Sequence, residues 1–312
     1  MRLFLTILSF FFATSLLVSC DASTLQKTPG GMPYLLFRGN GTQVAKPGQY
    51  LKVHASQQFD DSLAFSTFGK TPLYIMVGEQ SQPYDIPELF PLLHSGDSVV
   101  ATQMLDTIMK NSPQGSYPPG FKKGQRLITK LKVLGVFTDE ATKKADEDKE
   151  KNIYLRRELN EIEKFLGDKA KGLVRTKSGA FLEMQIPGEG DLIKTGDTVS
   201  VLYTGKTLLK GKVFDSNMDR AFGPTKSALK FTVGAGEMIP GFDEAMLLMR
   251  KGGQAKVYLP STLAYGANPP PGAPIQPYEH LIFEFKVEEV ARFIEQKMPV
   301  KDTLPPVSAN QQ

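Results

Sequence analysis

The chain contains an internal repeat, and this repeat most constrains how it can fold. The segment TVGAGEMIPGFDEAMLLMRKGGQAKVYLP, residues 232–260, aligns without a gap to MVGEQSQPYDIPELFPLLHSGDSVVATQM, residues 76–104. The register pairs Glu244 with Glu88 and Gly252 with Gly96. Upstream, GDTVSVLYTG matches GQYLKVHASQ, and KVFDSN matches LAFSTF. Self-similarity of this kind predicts two copies of one structural unit. A length of 312 residues separately favours two domains.

Each copy consists of short strand-like segments around a single short helix. In the first copy, strands are predicted at Gln49–Ala55, Leu73–Val77 and Gln125–Val136. The second has FLEMQI, TVSVLY, KFTVG, AKVYLP and LIFEFKVEEV, with a helix predicted over Phe242–Met249 because its apolar residues share one face. We therefore expect an α+β fold, with an antiparallel sheet wrapped over a short helix in each copy.

A charged segment, Asp139–Gly172, separates the two copies. It contains no proline, and Leu155, Leu159, Ile162 and Leu166 recur at spacings of four, three and four, which predicts one long helix with an apolar stripe. Two interpretations stay open: a linker helix that docks on its own domain, and a helix that forms a homodimer.

The N-terminus resembles a bacterial export signal. Arg2 precedes an apolar run, residues 3–18, that is short for a membrane span, and LVSC resembles a lipobox, in which the cysteine carries the lipid. Cys20 is the sole cysteine. We expect a lipoprotein signal peptide over residues 1–19, lipid on Cys20 and a tether over residues 20–31. The alternatives are an ordinary signal peptide and an uncleaved anchor. The C-terminal residues 298–312 are predicted to be a disordered tail.

Composition and spacing argue against several classes of function. A net charge of +4 without a basic stripe gives no indication of nucleic-acid binding. The three histidines, His54, His94 and His280, lack the spacing of metal ligands. No phosphate-binding loop is present. We therefore expect no metal, because of the histidine spacing, and no cofactor, because of the missing loop.

Five stretches of the second copy together resemble the FKBP family of peptidyl-prolyl cis-trans isomerases. They are VLYTG at 201–205, VFDSN at 213–217, GEMIPGFDEAM at 236–246, LPSTLAYG at 259–266 and LIFEFKV at 281–287. The resemblance implies an FKBP-type isomerase domain over residues 173–297 and a related domain over residues 32–138, joined by the charged helix over residues 139–172.

The resemblance also implies a substrate pocket in the second copy. Asp215 and Tyr265 would be its catalytic residues, and the substrate-binding residues would be Tyr203, Phe214, Arg220, Met238, Ile239, Phe242, Ile275 and Phe283. Rotation about an X-Pro bond is slow because amide resonance resists twisting. An apolar aromatic cleft disfavours the planar, dipolar amide relative to the twisted one. We expect Asp215 to be a buried carboxylate paired with Arg220.

The first copy lacks the polar pocket groups. In the repeat register Tyr203 falls on Ala55, Asp215 on Ser66, Phe242 on Ile86 and Tyr265 on Met109, while Phe65 keeps the place of Phe214. We therefore expect a degenerate FKBP-like domain without isomerase activity.

These features together predict an isomerase that assists folding of exported, proline-containing proteins from a membrane anchor in the cell envelope, facing the periplasm or on the outer membrane. Two other functions stay open: a non-catalytic module that binds proline segments, and a holdase chaperone.

Overall fold

A computed structural model describes residues 24–111, 121–219, 221 and 227–293. The chain divides into two compact units, residues 1–150 and 151–312. The predicted signal peptide with Cys20, the pocket residue Arg220 and the tail over residues 298–312 lie outside the described residues.

The first unit is built on an antiparallel sheet of seven strands. They are β1 Gln26–Lys27, β2 Pro33–Phe37, β3 Tyr50–Phe59, β4 Ser62–Ser66, β5 Leu73–Met76, β6 Ser98–Met104 and β7 Arg126–Phe137. Their order is β1-β2-β6-β7-β3-β4, and β5 also pairs with β3. The inward-facing side chains of β3, β6 and β7, among them Val53, Val99 and Val133, form its core.

The helix of the first unit is a 3₁₀ helix, Ile86–Leu92, rather than the α-helix of the second unit. Pro91 lies inside it and has no N–H to donate, which disfavours a regular α-helix. Leu89 and Phe90 are buried in the core. A second helix, α1 Leu105–Asn111, follows β6 and was not predicted.

The second unit repeats this topology strand for strand. Its seven strands are β8 Val174–Arg175, β9 Phe181–Ile186, β10 Thr198–Thr207, β11 Val213–Ser216, β12 Leu229–Thr232, β13 Gln254–Leu259 and β14 Leu281–Ala291. Their order is β11-β10-β14-β13-β9-β8, with β12 also paired to β10. Read from its other end, this is the order of the first sheet. The predicted α+β class with two antiparallel sheets is confirmed.

A glutamate in each unit makes the same contacts, which supports the predicted repeat register. Glu88 accepts hydrogen bonds from Thr28 Oγ1 at 2.7 Å and from the Gly30 N–H at 2.7 Å. Glu244, its partner in the alignment, accepts from Thr176 Oγ1 at 2.8 Å and from the Ser178 N–H at 2.9 Å. The two carboxylates thus fasten equivalent turns.

These contacts correct the predicted tether. Its residues Gln26–Lys27 form β1, which pairs with β2, and Thr28 and Gly30 are held by Glu88. The segment therefore belongs to the first unit from Gln26 onward. Aligning QKTPGGM with VRTKSGA in the second copy would have shown this.

The charged segment forms α2, Glu140–Leu166, followed by a 3₁₀ helix, Gly167–Gly172. Asp139 caps α2 by accepting the Thr142 N–H at 2.8 Å. In the second unit, Ile162 is fully buried with Phe181 and Tyr258, and Leu159 packs against the same cluster. The stripe is therefore covered by its own domain, as the docked-helix interpretation requires.

The helix α3 of the second unit is Pro240–Met246, with Pro240 at a position that favours proline. It starts two residues before the predicted helix and ends three residues earlier. Phe242, Ala245 and Met246 are fully buried beneath the sheet. Among the residues described, no helix has the length and apolar character to cross a membrane.

Candidate functional site

The site of the second unit is built around the ring of Phe242. This side chain is fully buried on α3, and its ring centroid lies 5.2 Å from Phe283 and 6.1 Å from Tyr203, both edge to face. Phe214 packs edge to face on Phe283 at 5.6 Å. Such edge-to-face pairs are the arrangement that ring quadrupoles prefer. The rings therefore hold one another in a fixed apolar frame.

Gly205 on β10 leaves room for the rings of Phe214 and Phe283 to pack against the strand. A Cβ at this position would lie 2.5 Å from Cζ of Phe214 and 3.0 Å from Cε1 of Phe283. Any larger residue would force the two rings away from the strand. The glycine is present because the rings pack directly on the backbone.

A small cavity of about 160 Å³ lies above Phe242. It is lined by Tyr203, Asp215, Glu237, Met238, Ile239, Phe242, Tyr265 and Phe283. A more open polar groove of about 450 Å³ shares Tyr203 and Asp215 with this cavity and continues along Ser216, Asn217 and residues 227–230. Sequence reasoning missed Glu237 and the groove, because their residue types are ordinary for loops.

Asp215 stands at the mouth of the cavity and is exposed, so the prediction of a buried carboxylate is wrong. It lies on β11, which among the described strands pairs only with β10, at one end of the sheet. The hydroxyl of Tyr203 donates a hydrogen bond to Oδ2 of Asp215. Burial, the bond to Asp215 and the charge of that carboxylate raise the pKa of Tyr203 above its ordinary value. Tyr203 therefore stays protonated at neutral pH.

Two hydrogen-bond donors at the cavity are free to bind a ligand. The hydroxyl of Tyr265 and the N–H of Ile239 have no acceptor among the described residues. Burial, and then the charge of Asp215, raise the pKa of Tyr265, so its hydroxyl keeps its proton. Ile239 precedes α3, and its carbonyl accepts the N–H groups of Phe242 and Asp243 at 3.1 Å each. Its own N–H is left for a ligand.

The loop that carries Tyr265 is held by Glu158 of α2. Glu158 is 1% exposed and accepts from the hydroxyls of Ser261 and Thr262 and from the Thr262 N–H at 2.9 Å. The Ser261 N–H donates to Nδ1 of His280 at 3.2 Å. Sequence reasoning missed this clamp, because Glu158 lies within a run of charged residues typical of a solvated helix face.

The structure brings together most of the predicted site residues. One cavity is lined by seven of them: Tyr203, Asp215, Met238, Ile239, Phe242, Tyr265 and Phe283. Phe214 lies behind it against Phe283. Ile275 is 5% exposed and belongs to the core cluster rather than to the lining, so the structure does not place it in the cavity wall. Within the described residues, no cluster of side chains could hold a metal ion.

The second unit is similar in sequence to known peptidyl-prolyl cis-trans isomerases. Residues 190–288 match the model of the family described as FKBP-type peptidyl-prolyl cis-trans isomerase. A "Probable FKBP-type peptidyl-prolyl cis-trans isomerase" from Haemophilus influenzae is 39% identical over 132 residues, which are 42% of this chain and 51% of the relative. "Peptidyl-prolyl cis-trans isomerase FPR2" from Saccharomyces cerevisiae is 40% identical over 108 residues, 34% of this chain and 76% of the relative.

The chain belongs to the FKBP-type peptidyl-prolyl cis-trans isomerase family, and the matched region lies in the second unit. The chain spans about half of the length of the Haemophilus relative, at 51%. Among solved structures, FkpA from Escherichia coli is 26% identical, with 48% of this chain and 69% of that chain covered at a TM-score of 0.36.

Proposed function

We propose that the second unit catalyses cis-trans rotation about X-Pro bonds. The observation that carries this proposal is the cavity above Phe242, which has the Tyr203–Asp215 pair at its mouth and the unpartnered donors of Tyr265 and Ile239 beside it. A prolyl ring is apolar and compact, which matches a small aromatic cavity. The polar groove beyond Asp215 then offers a path for the flanking peptide backbone.

Catalysis here needs no covalent step. The barrier to rotation is about 18–20 kcal/mol because planarity preserves amide resonance. A twisted amide has lost this resonance, and its carbonyl is less polarised, so an apolar cavity disfavours the planar form relative to the twisted form. Each hundredfold acceleration corresponds to about 2.7 kcal/mol, which a few hydrogen bonds and ring contacts supply.

The polar residues have separate parts in this proposal. Asp215, held by Tyr203, stabilises the twisted amide electrostatically and takes no proton. The Tyr265 hydroxyl and the Ile239 N–H donate to substrate carbonyls and fix the path of the peptide. Because both tyrosines have raised pKa values, their hydroxyls stay neutral donors across the physiological range.

The test measures cis-trans exchange of a Phe-Pro peptide by NMR, without a coupled protease. We expect wild-type chain to accelerate exchange and Asp215→Ala to lower kcat/KM about tenfold or more. Tyr265→Phe removes one neutral hydrogen bond, so a loss of about five- to tenfold is expected. Ser66→Ala changes the residue that aligns with Asp215 in the first unit and serves as the matched control, with full activity expected.

The outcomes separate the alternatives. Acceleration that is equal in wild type and in folded Asp215→Ala would show that this carboxylate has no part in catalysis. Peptide binding without any acceleration by the folded wild-type chain would instead support the non-catalytic proline-binding module. Suppression of client aggregation that survives Asp215→Ala would support a holdase function.

The first unit, in this proposal, is a degenerate FKBP-like domain. It has the same strand order as the second unit, and Glu88 makes the same contacts as Glu244, which supports a common origin. Ala55 and Ser66 stand where the second unit has Tyr203 and Asp215, so the polar groups of the pocket are missing. Asp215→Ala should therefore remove most of the isomerase activity of the whole chain.

The proposed setting is the cell envelope, with exported, proline-containing chains as clients and the protein tethered by lipid on Cys20. The apolar run before LVSC and the sole cysteine at this position support the proposal. Labelling cells with a radioactive fatty acid tests it, with a Cys20→Ser variant as control. Label on the wild-type chain alone is expected, and an unlabelled wild-type chain would contradict the lipid anchor.

A further inference from the structure

The first unit contains a larger cavity at the position equivalent to the candidate site of the second unit. Its volume is about 520 Å³, against about 160 Å³ in the second unit. Its lining includes Ala55, Phe65, Tyr84, Ile86, Gln103 and Thr129. This volume falls in the range of about 300–1,000 Å³ that is typical of ligand pockets.

The cavity exists because small side chains replace aromatic rings. In the strand pairing of the second unit, Phe283 lies opposite Gly205, and in the first unit Thr129 lies opposite Gln57, the aligned residue. Thr129 thus takes the place of Phe283. Ala55 likewise stands for Tyr203, and Ile86 for Phe242. The backbone frame is kept while three rings are lost, which leaves the larger space.

The lining is apolar and nearly uncharged. Its apolar residues include Phe65, Leu73, Ile75 and Leu131, and Asp85 has the one carboxyl group among the described residues that line it. Oδ1 of Asp85 is already engaged by the Ile86 N–H at 2.7 Å. None of the described residues that line the cavity is a lysine or an arginine. A ligand for this cavity is therefore neutral and largely apolar.

Gln103 gives the cavity a hydrogen-bond acceptor. This side chain is 4% exposed, and its Nε2 donates to the Tyr84 carbonyl at 2.7 Å. Its Oε1 accepts from no described residue, although every fully buried side-chain N or O atom among those residues has a partner. This oxygen is consequently open to the cavity. The second unit has the apolar Leu259 at the aligned position.

Tyr84, which also lines the cavity, is held in a strained conformation. Its φ is 64°, a region that non-glycine residues rarely occupy. The Tyr84 N–H donates to Glu88 at 2.9 Å, and the Tyr84 hydroxyl accepts the Met104 N–H at 2.9 Å. Together with Gln103, these bonds fix the ring at the cavity rim. Strain of this kind occurs preferentially at ligand-binding sites.

We infer that this cavity binds a bulky aromatic side chain, with an N–H donor for Gln103, carried by an extended polypeptide segment. Tryptophan fits this description, because its ring is large and its indole N–H needs an acceptor when buried. The choice of a polypeptide over a free small molecule rests on the proposed function, in which the aligned cavity of the second unit takes a peptide. This binding is independent of isomerase activity, and it would give the first unit a function in holding unfolded chains.

The experiment uses the full chain and the capped peptide Ala-Ala-Trp-Ala-Ala. Because the chain has no tryptophan, the fluorescence anisotropy of the peptide indole reports binding directly. We expect a saturable rise with wild-type chain and at least a tenfold weaker affinity for Thr129→Phe, which restores a ring in the cavity. Leu63→Ser, which removes an apolar side chain that is 66% exposed and outside the cavity, is the matched control and should bind like wild type.

Three results would overturn the inference: no saturable rise with wild type, equal affinity in folded Thr129→Phe, or displacement of the indole peptide by excess Phe-Pro peptide. The last would place binding in the second unit. If Thr129→Phe does not fold, hydrogen exchange of the wild-type chain with and without the peptide locates the binding site. Protection by the peptide at residues 82–86 and 126–131 supports the inference, and protection confined to other segments refutes it.

Discussion

Removal of the Glu158 side chain tests how α2 positions the candidate site. This carboxylate is 1% exposed and accepts from two hydroxyls and one N–H of Ser261 and Thr262. Glu158→Ala leaves these three donors without their acceptor in a buried place. Each unsatisfied buried group costs about 1–3 kcal/mol, and partial relaxation brings the expected loss in the free energy of unfolding to about 3–5 kcal/mol.

The conservative variant Glu158→Gln should lose less of the free energy of unfolding. Glu158→Gln keeps the shape and one carbonyl oxygen but loses the charge, so we expect a loss of about 1–3 kcal/mol. The matched control is Glu163→Ala on the same helix, because Glu163 is half exposed and makes one 3.5 Å ion pair with Arg175. Surface pairs of this kind contribute about 0–1 kcal/mol.

Hydrogen exchange of the second unit's strands measures these losses. The amides of Ala264 and Gly266, which both donate to the Ser261 carbonyl at 2.9 Å, report the loop itself. Since Tyr265 lies between them, a displaced loop should also lower kcat/KM for the Phe-Pro peptide about 10- to 100-fold. Unchanged exchange and full activity in Glu158→Ala would refute the positioning role.

Two further predictions concern stability. Gly205→Ala should lower the free energy of unfolding by about 1–3 kcal/mol, because its Cβ would lie 2.5 Å from Phe214. The control Gly172→Ala, with no atom near its Cβ, should change little, and equal effects in thermal unfolding would contradict the ring-packing account. Burial raises the pKa of Asp197, but the N–H groups of Phe293 and Lys194 and the charge of Arg292 outweigh it and leave the pKa below its ordinary 3.8. This contribution to stability is therefore complete above pH 3.8 and lost as the pH falls through the lower, folded pKa. Urea midpoints should drop over that acidic interval in wild type and less in Asp197→Asn, and parallel curves would show that Asp197 does not contribute.

The sequence predicted the fold where local patterns determine it. The repeat register set by Glu88 and Glu244 agrees with the matching contacts of these residues. The apolar stripe through Ile162 predicted a helix and left open what covers it, and the structure buries Ile162 against its own domain. The ring cluster followed from a resemblance spread over several segments, which is stronger information than any single aromatic residue provides.

These sequence patterns could not predict contacts between residues that are far apart in the chain. Glu158 and Ser261 are 103 positions apart. The sequence alone does not distinguish a buried glutamate from the exposed glutamates of a charged helix. Asp215 follows two apolar residues, which favoured burial, but an edge strand leaves its side chain exposed. The cavity of the first unit depends on which rings are missing at facing positions, and this becomes visible only once the two sheets are compared in register.

The most direct test of the central claim is the rate of cis-trans exchange in a Phe-Pro peptide as a function of wild-type chain concentration and pH. We predict a rate that rises in proportion to the chain concentration. Because no proton is transferred and the pKa values of Tyr203 and Tyr265 are raised above 10.0, kcat/KM should be level between about pH 6 and 9. No acceleration by folded chain would contradict the claim that this site is an isomerase, and a bell-shaped profile would contradict catalysis without proton transfer.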